Sequence, residues 1–338
     1  MDARSALDEI ASLLERELAN PYKARAFRKA AAAIEPIGDD ELAARIADGR
    51  LRRLEGIGAT TYEVIVEAAA GRVPPYLADL REKAGVGAER TGLAAQIRGD
   101  LHSHSEWSDG TTSVQAMAAG AKAVGLEWVA LTDHSPSLRV ANGLSAERLA
   151  SQLEIVAALD ADGGLGVRLL PGIEVDILED GSLDQTPEML GRLDVVVASV
   201  HSKLRAPAPA MTKRMLRAIA DPHTNVLGHC TGRLIRGSRG TRPQSEFDAE
   251  RVFAACAEHD VAVEINSRPE REDPPDDLIE IALRAGCRFS IDSDAHAPGH
   301  YGFLGLGAAR AERAGIPADR IVTTWEADRL LEWTHRKR

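Results

Sequence analysis

Seven short apolar runs of this chain have the composition of buried β-strands, and six of them end at or just before histidine, aspartate or glutamate. The runs cover residues 95–102, 128–132, 169–172, 195–200, 226–228, 261–265 and 289–291. The polar residues at their ends are His102, His104, Asp109, His134, Glu174, His201, His229, Asp294 and His296. The run 261–265 is the exception, because Asn266 follows it. Strand formation does not require imidazoles and carboxylates at these positions, so their repeated placement constrains both the fold and the chemistry.

Segments with helical periodicity alternate with these runs. Amphipathic patterns cover residues 113–123, 146–158, 210–219, 246–257 and 277–285. Strands that alternate with helices form parallel sheets covered by helices. Seven such units over residues 96–338 therefore predict an α/β fold of the closed (β/α) barrel kind, with one unit fewer than eight.

The polar residues at the strand ends are expected to converge, because a parallel sheet brings the carboxyl ends of its strands to one face. His102 and His104 lie two positions apart, so a strand would place both imidazoles on the same side. Nitrogen and oxygen ligands without a thiolate suit Zn²⁺, Mn²⁺ or Fe²⁺. Clustered ions of this kind typically activate water and bind phosphoryl oxygens. We predict a polynuclear metal site; a barrel with incidental histidines is the alternative.

Composition excludes several other classes of protein. A chain of 338 residues with 44% hydrophobic content is globular and has room for two domains. The N-terminus lacks the apolar region of a signal peptide, and no apolar run approaches the ~20 residues of a membrane helix. We therefore expect a soluble, cytoplasmic protein with no membrane partner. The net charge is −11, and almost all of the acidic excess lies beyond residue 99, where carboxylates suit cations.

Residues 1–83 have helical periodicity and no convincing strand, which predicts a separate small all-α domain. Residues 84–95 are small and contain glycine, and we expect them to link this domain to the barrel at 96–338. Within the helical domain, Gly56-Ile57-Gly58 precedes a helix, and the free amides of a helix start can hold a backbone phosphate. An ordinary helix–helix turn is the alternative.

Six segments of the barrel region resemble, in order, those of the PHP (polymerase and histidinol phosphatase) family. They are Asp100-Leu-His-Ser-His-Ser105, Thr132-Asp-His134, Gly172-Ile-Glu174, Ser199-Val-His-Ser202, Gly228-His-Cys-Thr-Gly-Arg233 and Asp292-Ser-Asp-Ala-His296. The family fold is a distorted seven-stranded (β/α)7 barrel, and all nine of the family's metal positions are filled here. Some members have histidine where Asp109 stands, and the aspartate resembles the branch attached to bacterial family X DNA polymerases.

The resemblance implies how the nine residues would divide among three divalent ions. The first ion would be held by His102, His104, Glu174 and Asp294. Glu174 would bridge to the second ion, which His201 and His229 complete. The third ion would be held by Asp109, His134 and His296. The implied chemistry is phosphoester hydrolysis, in which the ions activate water and take up charge on the phosphoryl oxygens.

Side chains in the loops after the strands are candidates for substrate binding and catalysis. They are Lys203, Arg233, Asn266, Arg268 and Arg271. Arg233 is favoured because the family's Gly-His-x-Thr-Gly-Arg run places it beside a ligand. The sequence Pro-Glu-Arg-Glu-Asp-Pro-Pro around Arg271 departs from the apolar residue that usually follows this arginine in the polymerase-linked branch. Each of these side chains is alternatively a solvated loop residue.

The N-terminal region, through Gly71, resembles the helix-hairpin-helix domain that opens family X DNA polymerases. Residues 22–34 and the Gly56-Ile57-Gly58 hairpin carry this likeness, which implies DNA contacts at Gly56, Gly58, Lys23 and Arg28. The linker passes directly to the barrel and leaves no room for a polymerase palm, so polymerase activity is not expected. Residues 1–99 carry 15 Lys and Arg against 16 Asp and Glu, which predicts only weak, salt-sensitive DNA binding.

Three functional hypotheses follow. The leading one is a trinuclear-metal phosphoesterase that acts on nucleic acid, by family likeness a 3′–5′ exonuclease, with the helical domain guiding a strand end. The chief alternative is a small-molecule phosphomonoesterase of histidinol-phosphatase type, in which the helical domain serves dimerisation or acts as a lid. An acidic barrel favours that alternative, because it repels long polyanions. A non-catalytic DNA-binding or scaffold protein is the third, but it predicts lost ligands and none is lost.

Overall fold

The computed structural model describes residues 2–85, 90–236 and 240–336. The chain divides into two compact units, Met1–Glu89 and Arg90–Arg338, each with its own hydrophobic core. Residues 86–89 of the expected linker at 84–95 lie outside the described residues. None of the helices in the described part combines the length and the apolar character needed to cross a bilayer.

The N-terminal unit is entirely helical in its described residues. Its helices are Ala3–Arg16, Pro21–Ile34, Asp39–Ala47, Ala59–Ala69 and Pro75–Ala84, with a 3₁₀ turn at Arg50–Arg53. The side chains of Asp2 and Asn20 accept hydrogen bonds from amides at the starts of the first two helices, where no helical carbonyl is available. Leu7, Ile10 and Phe27 are buried where these helices pack. The predicted small all-α unit is confirmed.

Seven parallel strands follow one another through the C-terminal unit in chain order. They are β1 (Gly99–Asp100), β2 (Trp128–Leu131), β3 (Arg168–Asp176), β4 (Val195–Ser199), β5 (Val226–Leu227), β6 (Ala262–Asn266) and β7 (Phe289–Asp292). Just beyond β1 and β7, a parallel bridge between Ser103 and Ala295 brings the two edges of the sheet together. The predicted α/β fold, a distorted seven-stranded barrel, is confirmed, with the strands nearly closed on themselves.

Helices connect the strands and cover the sheet. They are Val114–Ala123, Ala146–Asp162, Pro187–Leu190, Ala208–Ile219, Ala249–Glu258, Asp276–Ala285, Leu304–Arg313 and Ala327–His335, and 3₁₀ turns lie at Ala94–Gln96, Arg139–Ala141, Pro298–Phe303, Ala318–Arg320 and Val322–Thr324. The helix expected from residue 246 begins at Ala249, because the Asp248 side chain accepts the Arg251 amide and caps it there. Outward strand residues such as Val196 and Val263 belong to the core shared with these helices.

Two strands differ from their predicted bounds by more than one residue at an end. The first is confined to Gly99–Asp100, because Ala94–Gln96 form a 3₁₀ turn before it. The third continues past residue 172 to Asp176, since its first half pairs with β2 and its second half pairs with β4. Glu174 therefore lies within a strand rather than after one.

The side chains inside the barrel change from apolar to polar along the strands. Trp128 and Val195 belong to an apolar cluster that Trp325 of the C-terminal segment completes, and the Trp128 indole N–H donates to the Trp325 carbonyl at 3.0 Å. Because side chains alternate with period two, Ala262 of the same cluster is followed on its side of β6 by Glu264 and Asn266. One end of the barrel is thus a packed apolar core, and the other end carries the polar side chains that could form a functional site.

Gly99 of β1 lies against the Trp128 ring so closely that a Cβ there would be 2.1 Å from the indole. We predict that G99A lowers the free energy of unfolding by about 1–3 kcal/mol, because overpacking forces the ring or the strand to move. Urea denaturation followed by circular dichroism measures this change.

G305A is the matched control for this prediction. A Cβ at Gly305 meets nothing within 4 Å, and the residue lies in the helix Leu304–Arg313, where alanine is favoured over glycine by about 1 kcal/mol. This variant should be as stable as the parent or more so. A G99A protein as stable as the parent would contradict the close packing described here.

Candidate metal centre

His102 and His104 follow β1 and are fully buried inside the barrel, with ring centroids 5.1 Å apart. Their backbone is fixed against the last strand, since the His104 N–H donates to the Ala295 carbonyl at 2.7 Å and the Ala295 N–H donates to the His102 carbonyl at 3.3 Å. The contact that closes the sheet therefore also positions the two imidazoles.

Glu174 lies at the centre of the polar end of the barrel, with its carboxylate almost completely buried. Its Oε2 is 3.3 Å from His102 Nε2, 3.6 Å from His104 Nε2 and 2.7 Å from His134 Nδ1. Its Oε1 is 3.2 Å from His201 Nε2 and 2.9 Å from His229 Nε2. The two oxygens of one carboxylate thus face different histidines, as a bridging ligand requires.

Asp109 faces the centre from the loop that follows His104. Its Oδ1 is 3.4 Å from both His134 Nε2 and His296 Nε2, and 4.0 Å from His104 Nδ1. The buried carboxylate of Asp133 holds this loop, accepting the Ser105 hydroxyl at 2.6 Å and the Ser108 amide at 3.2 Å.

The nine side chains expected from the sequence are therefore brought together. Potential ligand atoms lie within 4.8 Å of one another in four overlapping groups. The groups are His102, His104 and Asp294; His102, Glu174 and His229; His134, Glu174 and His201; and His104, Asp109, His134 and His296. His104 belongs to two groups and Glu174 to two others, so the sets are joined through shared residues rather than separate.

Burial and the charges of neighbouring side chains together set the ionisation of these residues. Burial raises the pKa of Glu174, but the facing imidazoles of His102 and His201 outweigh it and hold that pKa well below its usual value. Burial lowers the pKa of His201, yet Glu174 and Asp176 raise it to about 9. For His104, burial and the imidazoles of its neighbours act in the same direction and lower the pKa to about 3. Without metal, the site thus combines an ionised carboxylate and a neutral His104 ring, both metal-ligating forms, with a His201 ring that must release a proton to bind metal.

The hydrogen-bonding state of the buried atoms tests whether this cluster fits metal ions. Among the described residues, His102 Nε2, both ring nitrogens of His104 and both oxygens of Glu174 are buried without a hydrogen-bond partner. Buried polar atoms are normally paired, and leaving one unpaired costs about 1–3 kcal/mol. Lone pairs that converge without donors are suited to cations. We conclude that the residues fit a polynuclear site for divalent metal ions.

Two acidic residues that the sequence analysis did not select contact His102 and His201 at the ring nitrogen that faces away from Glu174. Asp176 Oδ1 pairs with His201 Nδ1, and Glu264 Oε1 lies 2.6 Å from His102 Nδ1. A carboxylate in this position orients a metal-ligating imidazole. Glu264 could have been selected from the sequence, because it is the charged residue inside an otherwise apolar predicted strand. Asp176 was not, because β3 was expected to end earlier.

Of the residues expected to bind substrate, some lie beside the metal centre and others do not. Asn266 Nδ2 and Arg271 Nε each lie 3.2 Å from Asp294 Oδ2, so both are beside the centre. The Arg233 Nε instead donates to the carbonyls of Arg271 at 3.1 Å and Glu272 at 3.0 Å, which ties this side chain to the loop after β6. Lys203 is exposed two residues after His201, with a left-handed φ of 54°.

The expected DNA contacts lie in the N-terminal unit. Gly56 has a φ of 93°, and a Cβ there would be 3.0 Å from Lys29 Cγ, so the hairpin requires glycine on two grounds. Gly58 precedes the helix Ala59–Ala69. Lys23 is exposed, whereas the Arg28 Nη2 donates to Glu15 Oε2 at 2.6 Å and is engaged within the unit.

The fold and the site together define a class: a parallel barrel whose open end gathers imidazoles and carboxylates is the framework of a metal-dependent hydrolase. The chain belongs to the PHP domain family, whose model matches residues 100–268, and a helix-hairpin-helix domain model matches residues 2–72. Membership of this family and the similarity to probable phosphatases establish that the chain is a metal-dependent phosphoesterase.

Relatives include two kinds of protein. The chain is 40% identical over 201 residues to the DNA polymerase/3′-5′ exonuclease PolX of Bacillus subtilis (strain 168), covering 60% of this chain and 34% of that protein. It thus spans about a third of that relative's length. It is 30% identical over 243 residues to a probable phosphatase of Aliivibrio fischeri (strain ATCC 700601 / ES114), covering 67% of this chain and 88% of that one.

One solved structure supports the fold. The histidinol phosphate phosphatase of Lactococcus lactis, solved with zinc, L-histidinol and phosphate, superposes with a TM-score of 0.50 at 19% identity. The superposition covers 65% of this chain and 95% of that one. It agrees with the seven-stranded barrel described above.

We predict that H104A removes most of the affinity for divalent ions, because His104 contributes to two of the ligand groups. Loss of a direct ligand should weaken Zn²⁺ binding by more than the roughly 10–100-fold typical of outer partners. Zn²⁺ at 100 times its Kd should stabilise the parent by about 2.7 kcal/mol. The same Zn²⁺ concentration should give H104A almost no increase in melting temperature.

H335A is the control, since His335 is exposed and pairs only with Asp194 among the interactions described for it, at 2.9 Å. It should keep the full zinc-dependent increase. An H104A protein stabilised by Zn²⁺ as strongly as the parent would contradict the ligand assignment.

Proposed function

We propose that the centre binds three divalent ions, Zn²⁺, Mn²⁺ or Fe²⁺, through the nine residues at the strand ends. His102, His104, Glu174 and Asp294 would hold the first ion. Glu174, His201 and His229 would hold the second. Asp109, His134 and His296 would hold the third. Two groups of potential ligand atoms support the first and third sets: His102, His104 and Asp294 form one, and Asp109, His134 and His296 form the other together with His104. His229 and His201 each group with Glu174, but separately, the former with His102 and the latter with His134.

When bound, the ions would supply a nucleophile from water at neutral pH and would neutralise charge on phosphoryl oxygens. The protein's own residues have separate tasks. Arg271, which is buried and lies beside Asp294, would bring a fixed positive charge close to the substrate phosphate. Lys203 would contact the phosphate from the exposed loop after β4. Asn266 would hold Asp294 in place, and Arg233 would shape the loop that carries Arg271.

We propose that the substrate is a nucleic-acid phosphodiester, cleaved as a 3′–5′ exonuclease in the cytoplasm. The observation that carries this proposal is the helix-hairpin-helix unit in the same chain as the centre. Sequence similarity to a protein named as a polymerase and 3′–5′ exonuclease supports it. The barrel proper would cover residues 96–338 and the helical domain residues 1–83.

The hairpin would contact the nucleic-acid backbone rather than the bases. The helix Ala59–Ala69 starts directly after Gly58, and the first amides of a helix have no helical acceptors. Lys23 would add an exposed positive charge, and Gly56 would allow the tight approach. Contacts of this kind do not discriminate between sequences.

A small-molecule phosphomonoester is the second candidate substrate. The similarity to probable phosphatases and the acidic excess beyond residue 99 favour it. In that case the helical unit would serve dimerisation or act as a lid.

We predict that the metal-loaded protein shortens 5′-labelled single-stranded DNA progressively from its 3′ end, and hydrolyses a panel of phosphomonoesters slowly by comparison. H104A should lose the activity. Denaturing gels follow the DNA, and phosphate release follows the monoesters. Rapid monoester turnover with intact DNA would establish the second candidate instead.

We predict that K23E weakens binding to single-stranded DNA and slows its cleavage, but leaves hydrolysis of a small phosphodiester unchanged. Removing one phosphate contact lowers the salt dependence of log K by roughly 0.7. Fluorescence anisotropy between 50 and 200 mM salt, on the order of the range where such contacts are screened, measures the slope.

K83E is the matched control, because Lys83 is an exposed lysine on the helix Pro75–Ala84 of the same unit. It makes the same change of charge outside the proposed contact. Equal losses in both variants would point to net charge and would argue against a contact at Lys23.

A further inference from the structure

Strand β6 is the strand for which the sequence analysis found no ligand, and the inward side chains at its polar end are Glu264 and Asn266. Both are buried, with 0% and 1% of their surfaces exposed. A carboxylate taken out of water is costly unless it is paired and hydrogen-bonded. Its presence in the middle of the barrel therefore calls for a role.

Glu264 contacts two of the proposed ligands directly. Its Oε1 lies 2.6 Å from His102 Nδ1. Its Oε2 accepts the backbone N–H of His229 and the side-chain amide of Asn266, the latter at 3.3 Å. One carboxylate thus joins the ring that follows β1 to the backbone that follows β5.

Asn266 extends these contacts to a third ligand. Its Nδ2 also donates to Asp294 Oδ2 at 3.2 Å, and its Oδ1 accepts the Arg268 amide at 3.1 Å. The pair on β6 therefore reaches His102, His229 and Asp294, which belong to three different strand ends.

We propose that Glu264, supported by Asn266, is the positioning residue that prepares this centre for metal binding. A carboxylate accepts hydrogen bonds, so a neutral His102 ring would carry its proton on Nδ1 and its lone pair on Nε2. That Nε2 faces Glu174 at 3.3 Å and has no hydrogen-bond partner. The inference rests on the metal centre proposed above.

The contacts distinguish this role from simple packing. A side chain that only filled space on β6 would need no charge, and an apolar residue would avoid the desolvation cost. Glu264 instead fixes the tautomer of one ligand, the backbone position of a second and, through Asn266, the carboxylate of a third. Loss of such an outer contact typically lowers metal affinity 10–100-fold.

The test is E264Q in the full chain, stripped with a chelator and titrated with Zn²⁺ and with Co²⁺. The amide would donate to His102 Nδ1, so the ring proton would move to Nε2 and block that ligand atom. We expect Zn²⁺ affinity to fall about 10–100-fold. The visible absorption spectrum of the Co²⁺ complex should also change. The melting temperature of the metal-free variant should stay within about 4 °C of that of the metal-free parent.

D292N is the matched control. Asp292 is a fully buried carboxylate on β7 that accepts the Leu101 amide at 2.9 Å, and no contact to an imidazole is described for it. This variant also replaces a buried carboxyl group at the same end of the barrel with an amide of the same size. Zinc affinity should change by less than threefold, on the order of 0.6 kcal/mol. Equal losses in D292N and E264Q would overturn the proposal, as would unchanged binding in E264Q.

A second variant covers the case in which E264Q does not fold by circular dichroism. N266A keeps Glu264 and removes the link to Asp294, and it should weaken Zn²⁺ binding several-fold; unchanged binding in N266A would overturn the proposal. Failure of the parent protein to bind Zn²⁺ or Co²⁺ would instead reject the metal centre itself. The two failures are therefore distinguishable.

Discussion

Five imidazoles face one buried carboxylate, and the rest of the site is arranged around this contact. Glu174 has ring nitrogens of His102, His104, His134, His201 and His229 between 2.7 and 3.6 Å from its oxygens. An ionised carboxylate in a protein interior is costly unless positive charge or hydrogen-bond donors surround it. The imidazoles can meet that need by taking up protons, or cations can meet it while the imidazoles stay neutral. Metal binding and protonation therefore compete for the same lone pairs.

The barrel makes this contact possible by separating its two ends. The cluster that contains Trp128, Val195 and Trp325 excludes water from one end and packs like any protein core. The other end brings the buried polar groups together, and bound ions there can offset the unfavourable desolvation of these groups. Closing the sheet between Ser103 and Ala295 matters for this reason, because it sets His104 against the end of the last strand.

The sequence predicted the parts of this arrangement that depend on local pattern. Strand–helix alternation and polar residues at strand ends are short-range features, so the barrel and the converging side chains followed from them. The extension of β3 to Asp176 did not, because it arises when the strand changes its pairing partner from β2 to β4. The hydrogen bonds of the Arg233 side chain to the carbonyls of residues 271 and 272 did not follow either, because they join loops that are far apart in sequence.

Clustered metal ions serve both phosphatases and nucleases, so the nine ligands do not by themselves select the substrate. The helical unit offers little positive charge: Arg28 is engaged by Glu15, and Lys29 pairs with Glu55 at 2.8 Å. Any grip on a nucleic acid there rests on helix-start amides and a few exposed cations such as Lys23. Such contacts release few counterions, so their affinity is low at physiological salt. In the proposed function, tight binding of a strand end would therefore come chiefly from the phosphate at the metal centre, and the helical unit would raise the local concentration of the strand.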